Sequence, residues 1–153
     1  GNQVVTFGTG TACQPKLVLF FYNNQTADGG AAVASFGFGA AVSTSQRVSG
    51  FAISADAAAT SDSDRTLSQT KAVVIINASQ AIVASADLVT LNSDGFTLNW
   101  NVVDANARII NYLAIGGADV TNATVGSYTS SGSPQSITGL GFQPDLVILY
   151  NSG

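Results

Sequence analysis

The chain contains no histidine, no glutamate and no methionine, and its one cysteine is Cys13. Each absence removes a class of chemistry. Without His the commonest general acid-base group is missing, no Ser-His pair can form, and a carboxylate pair could be built only from Asp. A lone Cys forms no disulfide within the chain and no Cys-based metal cluster, so Cys13 is expected to pack as a small buried hydrophobe. The sequence also lacks a phosphate-binding Gly-rich loop, a Gly-x-Ser-x-Gly elbow and a metal-binding helix motif. The chain therefore reads as a non-enzyme, and no cofactor is implied.

Charge is scarce as well. Five basic and nine acidic residues make up 9% of the chain, where roughly a quarter is usual for a soluble domain. Lys16, Arg47, Arg65, Lys71 and Arg108 are scattered, and the net charge is -4. No basic cluster exists to neutralise several phosphates, which argues against nucleic acid as a partner. No apolar run approaches the roughly 20 residues that cross a bilayer, so membrane insertion is not expected. The surface must be covered by Ser, Thr, Asn, Gln and Gly, or by another protein. The chain opens at Gly1 without Met or a charged-then-apolar leader, as a processed fragment would.

What remains is rich in Val, Ile, Thr and Phe, in short runs separated by Asn, Asp, Ser and Gly. The former fit a pleated, half-buried surface. The latter favour turns, because their short side chains compete for the backbone or permit positive φ. Losing Glu and Met removes two good helix formers. The chain is expected to be one all-β domain over 1–153, an antiparallel β-sandwich or jelly-roll-like fold of about 8–10 strands, with no helix beyond two turns.

Strands are expected at 3–7, 14–22, 31–42, 47–53, 71–77, 81–84, 88–91, 96–103, 108–115, 125–129 and 146–150. The stretch 54–70 reads as an exposed loop. Leu17-Val18-Leu19-Phe20-Phe21 is apolar without alternation, the pattern of a central strand buried on both faces. Leu17, Val18 and Leu19 are expected to be buried, and so are Val147, Ile148 and Leu149 in a similar run. Phe36 and Phe38 share one strand face, and the reverse carries Ser35, Gly37 and Gly39, where Gly implies close backbone approach or an open surface. Asn92-Ser93-Asp94-Gly95 has the chemistry of a hairpin turn.

The two ends repeat. Thr9-Gly10 and Gln14-Pro15-x-Leu17-Val18 recur as Thr138-Gly139 and Gln143-Pro144-x-Leu146-Val147, 129 residues later. Either the end strands are related elements of one sandwich, or 138–153 starts a further repeat. Internal pairing is the expectation, because an unpaired strand of such hydrophobicity invites aggregation.

Candidate functional residues are few. Trp100 and Tyr112, placed on adjacent expected strands, could stack on a sugar with Asp94 beside them. Asp62 and Asp64 form the one tight acidic pair, but their loop lacks the further ligands and the Gly of a calcium-binding loop. A Lys-Asn isopeptide bond is conceivable at Lys16 or Lys71.

Three elements occur in order: Gln3-Val4-Val5-Thr6-Phe7 with Pro15-Lys16-Leu17-Val18, then Asp94-Gly95-Phe96-Thr97-Leu98, then Tyr112-Leu113-Ala114-Ile115-Gly116. Over about residues 3–117 this resembles the H-type lectin pattern, while the Gly/Ala/Ser-rich style, low charge and end-to-end repeat look similar to repetitive structural proteins of tailed-bacteriophage virions, where H-type-lectin-like sandwiches serve as adhesion or assembly modules. Two departures stand out: the lectin family usually has Trp where Tyr112 stands, and the region 24–70 is longer and richer in Gly and Ala. The resemblance implies a six-stranded sandwich core, multimeric use and no catalysis. Sugar-binding residues in that family lie on loops at subunit interfaces, and none transfers to a numbered position.

The expectation is thus a structural or adhesion module of a virion or extracellular surface, whose partners are copies of itself. A carbohydrate-binding domain that engages a cell-surface glycan is the alternative.

Overall fold

The computed structural model describes residues 1–8, 13–57, 59–60 and 62–151, and among them it shows strands and no helix. The strands are β1 (Asn2–Thr6), β2 (Pro15–Tyr22), β3 (Ala34–Ala41), β4 (Arg47–Ser54), β5 (Ser63–Ser68), β6 (Val73–Ile76), β7 (Ile82–Asn92), β8 (Gly95–Val102) and β9 (Ile110–Gly116). They form two antiparallel sheets, one of four strands in the order β1-β8-β7-β6 and one of five in the order β5-β4-β3-β2-β9. This is the expected all-β sandwich. Its nine strands exceed the six implied by the lectin-like resemblance.

The core lies between the sheets. Val18 and Phe20 of β2 and Phe51 and Ile53 of β4 meet Val73 and Ile75 of β6, Leu88 of β7, and Phe96 and Leu98 of β8. Alternation explains the choice: in each strand these residues sit two apart and so point the same way. The Phe20 and Phe96 rings meet edge to face at 5.5 Å, the arrangement that aromatic quadrupoles favour.

Tyr22 ties the two sheets together. Its ring stacks on Phe51 at 6.0 Å, and its hydroxyl accepts the Val74 N–H of the opposite sheet at 3.1 Å. The same oxygen lies 3.4 Å from the Phe38 carbonyl and 3.5 Å from that of Gly50, either of which it can donate to. Burial pushes the phenol well above its ordinary range, partly offset by the Val74 amide. The glycines of β3 make this possible. A Cβ on Gly37 would stand 2.1 Å from the Tyr22 ring, and one on Gly39 would stand 2.0 Å from the Ala72 carbonyl oxygen. Close approach, and not an open surface, is therefore the reason for both.

Several expectations require correction. Residues 63–68, read as loop, form β5, an edge strand whose Asp, Arg, Thr and Ser alternate between half-buried and exposed. The two strands expected at 81–84 and 88–91 are one, β7, bent by irregular register at Ser85/Ala86 and Leu88/Thr90. No strand forms at 125–129 or 146–150. Val147, Ile148 and Leu149 are exposed, not buried, because residues 138–151 enter neither sheet. Cys13 is half-buried, not buried.

Candidate interaction surface

The outer face of the five-stranded sheet is as apolar as its inner face. Residues that alternate with the core positions project there: Leu17, Leu19 and Phe21 of β2, Phe36, Phe38 and Ala40 of β3, and Val48 of β4. Register places Leu113 of β9 opposite Leu19 and Ile115 opposite Leu17. On the other side Leu67 of β5 stands opposite Gly50, and Arg65 opposite Ala52. An antiparallel sandwich ordinarily turns polar residues outward here. The polar side chains among these paired outward positions are Arg65, Asn111 and the hydrogen-bonded Ser54 and Ser63 at the β4–β5 end.

Part of this face is covered from within the chain. Leu19, Phe38 and Ala40 form a buried cluster, packed by Leu17, Phe21 and Val48 of the sheet and by Val125 and Tyr150 of the segment that follows β9. The Tyr150 ring lies 4.8 Å from that of Phe38 and 6.1 Å from that of Phe36. Burial raises the Tyr150 phenol above its ordinary range. Phe36, Leu67 and Leu113 remain exposed around the cluster.

At one end of the face, a groove of about 710 Å³ runs past Ser35, Phe36, Asp64, Arg65 and Gln80. Gln80, in the turn between β6 and β7, donates from Nε2 to the Asp64 carboxylate at 2.7 Å. The groove joins an exposed aromatic to several polar groups.

The structure disperses the residues picked out in the sequence. Trp100 lies on β8 of the four-stranded sheet and Tyr112 on β9 of the five-stranded one, so they are not on adjacent strands. Trp100 is engaged at the β1 edge, its indole N–H donating to Gln3 at 2.7 Å. Tyr112 stacks on Phe7 at 5.8 Å and meets Phe96 edge to face. Asp94 occupies the β7–β8 turn, where its carbonyl accepts the Phe7 N–H at 2.7 Å. Asp62 precedes β5, where its carbonyl oxygen accepts the Ala55 N–H, and Asp64 is bonded to Gln80. Among the described residues no group of three or more His, Cys, Asp or Glu could hold a metal ion.

Most of the cations are spoken for. Arg47 and Lys71 both pair with Asp87, at 3.3 Å and 3.1 Å, and Arg108 pairs with Asp104 at 2.8 Å. Lys71 also donates to Asn101 at 3.0 Å. Of these two contact residues Lys71 is half-buried and Asn101 exposed.

Sequence reasoning identified the pieces of the apolar face, notably Phe36 with Phe38 and the two-sided run of β2, but did not assemble them. The signal available was that β2 is apolar outward as well as inward from Leu17 to Phe21. Comparison with protein-family models, with curated proteins and with solved structures returns no match. The lectin-like resemblance therefore rests on its three sequence elements, and the phage-like one on composition, low charge and the end-to-end repeat.

Proposed function

We propose that the chain is a non-enzymatic structural or adhesion module of a virion or surface assembly, and that it works by associating with copies of itself through the outer face of the larger sheet. The observation that carries this reading is the composition of that face. Exposed Leu67, Phe36 and Leu113 extend the covered cluster across the full width of the sheet, from β5 to β9. A contiguous apolar patch of this kind marks an interaction site more often than a solvated surface. The sheet's edges, β5 and β9, also lack the Lys and Glu that commonly block edge-to-edge pairing.

A second copy is the favoured occupant because the face holds few charges to select a different partner. With three of the five cations committed to internal ion pairs, association should respond weakly to salt. It should respond strongly to a charge placed in the patch. Sedimentation of the full chain is expected to reveal an oligomer that buries roughly 1,000 Å² or more. Leu67→Asp and Leu113→Asp, both at exposed positions, should each weaken it at least about tenfold, or by roughly 1.4 kcal/mol. A chain that stays monomeric at high concentration would overturn the reading.

One observation favours a second reading, carbohydrate binding. The groove pairs exposed Phe36 with Asp64, Arg65 and Gln80, an aromatic platform beside convergent polar groups. A glycan array followed by calorimetry tests it. Binding that Phe36→Ala or Gln80→Ala abolishes would place the sugar there, and an array without hits removes this reading.

A further inference from the structure

The segment after β9 carries residues whose tasks it does not perform in this chain. Two strand elements of the sandwich recur in it, in their original order. Gln3-x-Val5-Thr6 of β1 returns as Gln135-x-Ile137-Thr138, in a register of 132 residues that matches Thr138 to Thr6 and not to Thr9. Gln14-Pro15-x-Leu17-Val18 of β2 returns 129 residues on as Gln143-Pro144-x-Leu146-Val147, so the connection is three residues shorter. In the first occurrence these elements belong to different sheets. Their joint recurrence therefore repeats the opening of a sandwich and not merely a favoured strand sequence.

Each repeated residue has a definite task the first time. Gln14 donates from Nε2 to the Leu91 carbonyl of the opposite sheet at 3.0 Å. Pro15 is buried at the strand entrance opposite Gly116, where its missing N–H costs no ladder bond. Val18 faces the core and Leu19 the outer cluster. Lys16 is exposed, so the Asp145 that stands in its place sits at a position open to solvent. Ile148, Leu149 and Tyr150 follow as apolar or aromatic counterparts of Leu19, Phe20 and Phe21, while Asn151 departs from Tyr22.

In the second occurrence Tyr150 rests on Phe38 from outside the sheet, and the strand tasks of the residues before it are unfilled. Leu146 is 70%, Val147 62%, Ile148 51% and Leu149 73% exposed. They have nowhere to go in this sandwich, because β3 and β9 already hold β2 between them. We infer that residues 134–151 are the opening strand pair of a second sandwich of the same kind, with Leu146–Tyr150 as the central strand of its larger sheet. The occupant they await is another set of strands equivalent to β3 and β9.

The test is to extend the full chain after Gly153 with a second copy of its own residues 25–117, and to follow amide exchange. In the extended chain, residues 146–150 and the appended strands are expected to slow together, by roughly 100-fold or more relative to 146–150 in the unextended chain. Val147→Asp with Leu149→Asp, at the positions of buried Val18 and Phe20, should remove that protection while β2 to β4 keep theirs.

Residues 146–150 exchanging equally fast in both chains would overturn the inference. So would protection that arises only once 143–151 are rewritten to the residues of 14–22, since the tail's own sequence would then be no substitute for β2. Neither result bears on self-association, which sedimentation of the unextended chain reads separately.

Discussion

Along β1, β8 and β7 of the four-stranded sheet, outward positions include Asn2, Val4 and Thr6, Thr97 and Asn99, and Thr90 and Asn92, while its edge strand β6 carries the buried Val74. In the five-stranded sheet the outward positions are Leu, Phe and Ala from Leu17 to Phe21 of β2 and along β3. Members of the polar set bond one another, as where Asn92 donates to the Thr97 hydroxyl at 3.1 Å. Beyond the sheet itself, the apolar counterpart is covered by Val125 and Tyr150 among the described residues. The two sheets share one core, so folding does not demand this difference. An apolar outer face lowers solubility and would be worn away if it met only water, whereas it is useful where another surface arrives.

The largest effect should separate the two faces directly. Leu19→Ala is expected to cost about 2–4 kcal/mol, the range of a core truncation, because Leu19 is buried on the outward side. Thr90→Ala, at an exposed outward position of the other sheet, should change stability by no more than about 0.5 kcal/mol. Urea unfolding of the pair measures both, and equal costs would erase the distinction.

Next in size is Tyr22→Phe, which removes the acceptor of the buried Val74 N–H and leaves that donor unpaired. A loss of about 1–3 kcal/mol is expected. Because the hydroxyl links the sheets and contributes nothing to the outer face, the oligomeric state should not change.

Removing the cover comes third. Tyr150→Ala should cost about 0.5–1.5 kcal/mol from the lost aromatic contacts, and it should raise the binding of an apolar fluorescent dye to the uncovered Phe38. The raised Tyr150 phenol gives a pH-dependent version of the same test. A folded-state value above the unfolded one means that the contribution is whole below about pH 10 and is lost as pH rises through the folded value. Dye binding should therefore climb in alkali in the parent chain and not in Tyr150→Phe.

The smallest effect lies away from both faces. Burial acts to raise the Asp104 carboxyl, but the Asn106 amides and the Arg108 guanidinium outweigh it and hold the group below the usual range. Its contribution is present above about pH 3.9 and fades as pH falls through the folded value. Asp104→Asn should flatten the acid limb of the stability curve slightly, and an unchanged limb would count against this assignment.

The fold class was legible because turn formers punctuate β-branched and aromatic runs at strand spacing. The burial of β2 was legible in part from its apolar run without alternation: Val18, Leu19 and Phe20 are buried, whereas Leu17, expected to be buried, and Phe21 are half-buried. What escaped has physical causes. β5 is an edge strand with a wet face, so Ser63, Asp64, Arg65 and Thr66 resemble a loop in composition. β7 bends at two irregular points, so its pattern breaks and suggests two strands. Trp100 and Tyr112 are neighbours in strand order along the chain, but the connection at 103–109 crosses between sheets, and no local pattern announces such a crossing. Residues 146–150 have the pattern of a buried strand and lack neighbours to pair with. Hydrophobic pattern reports what a segment requires, and pairing depends on which strands are present to supply it.

The Tyr22 hydroxyl bond to Val74 also has a mechanical meaning. A pull that drives one sheet along the other would have to break this cross-sheet bond. It would also have to lift the ring from the notch left by Gly37 and from its stack on Phe51. The two layers are thus pinned against shear at the end of β2, and load entering through one sheet passes to the other through this phenol together with the Arg47–Asp87 ion pair and the Gln14–Leu91 bond.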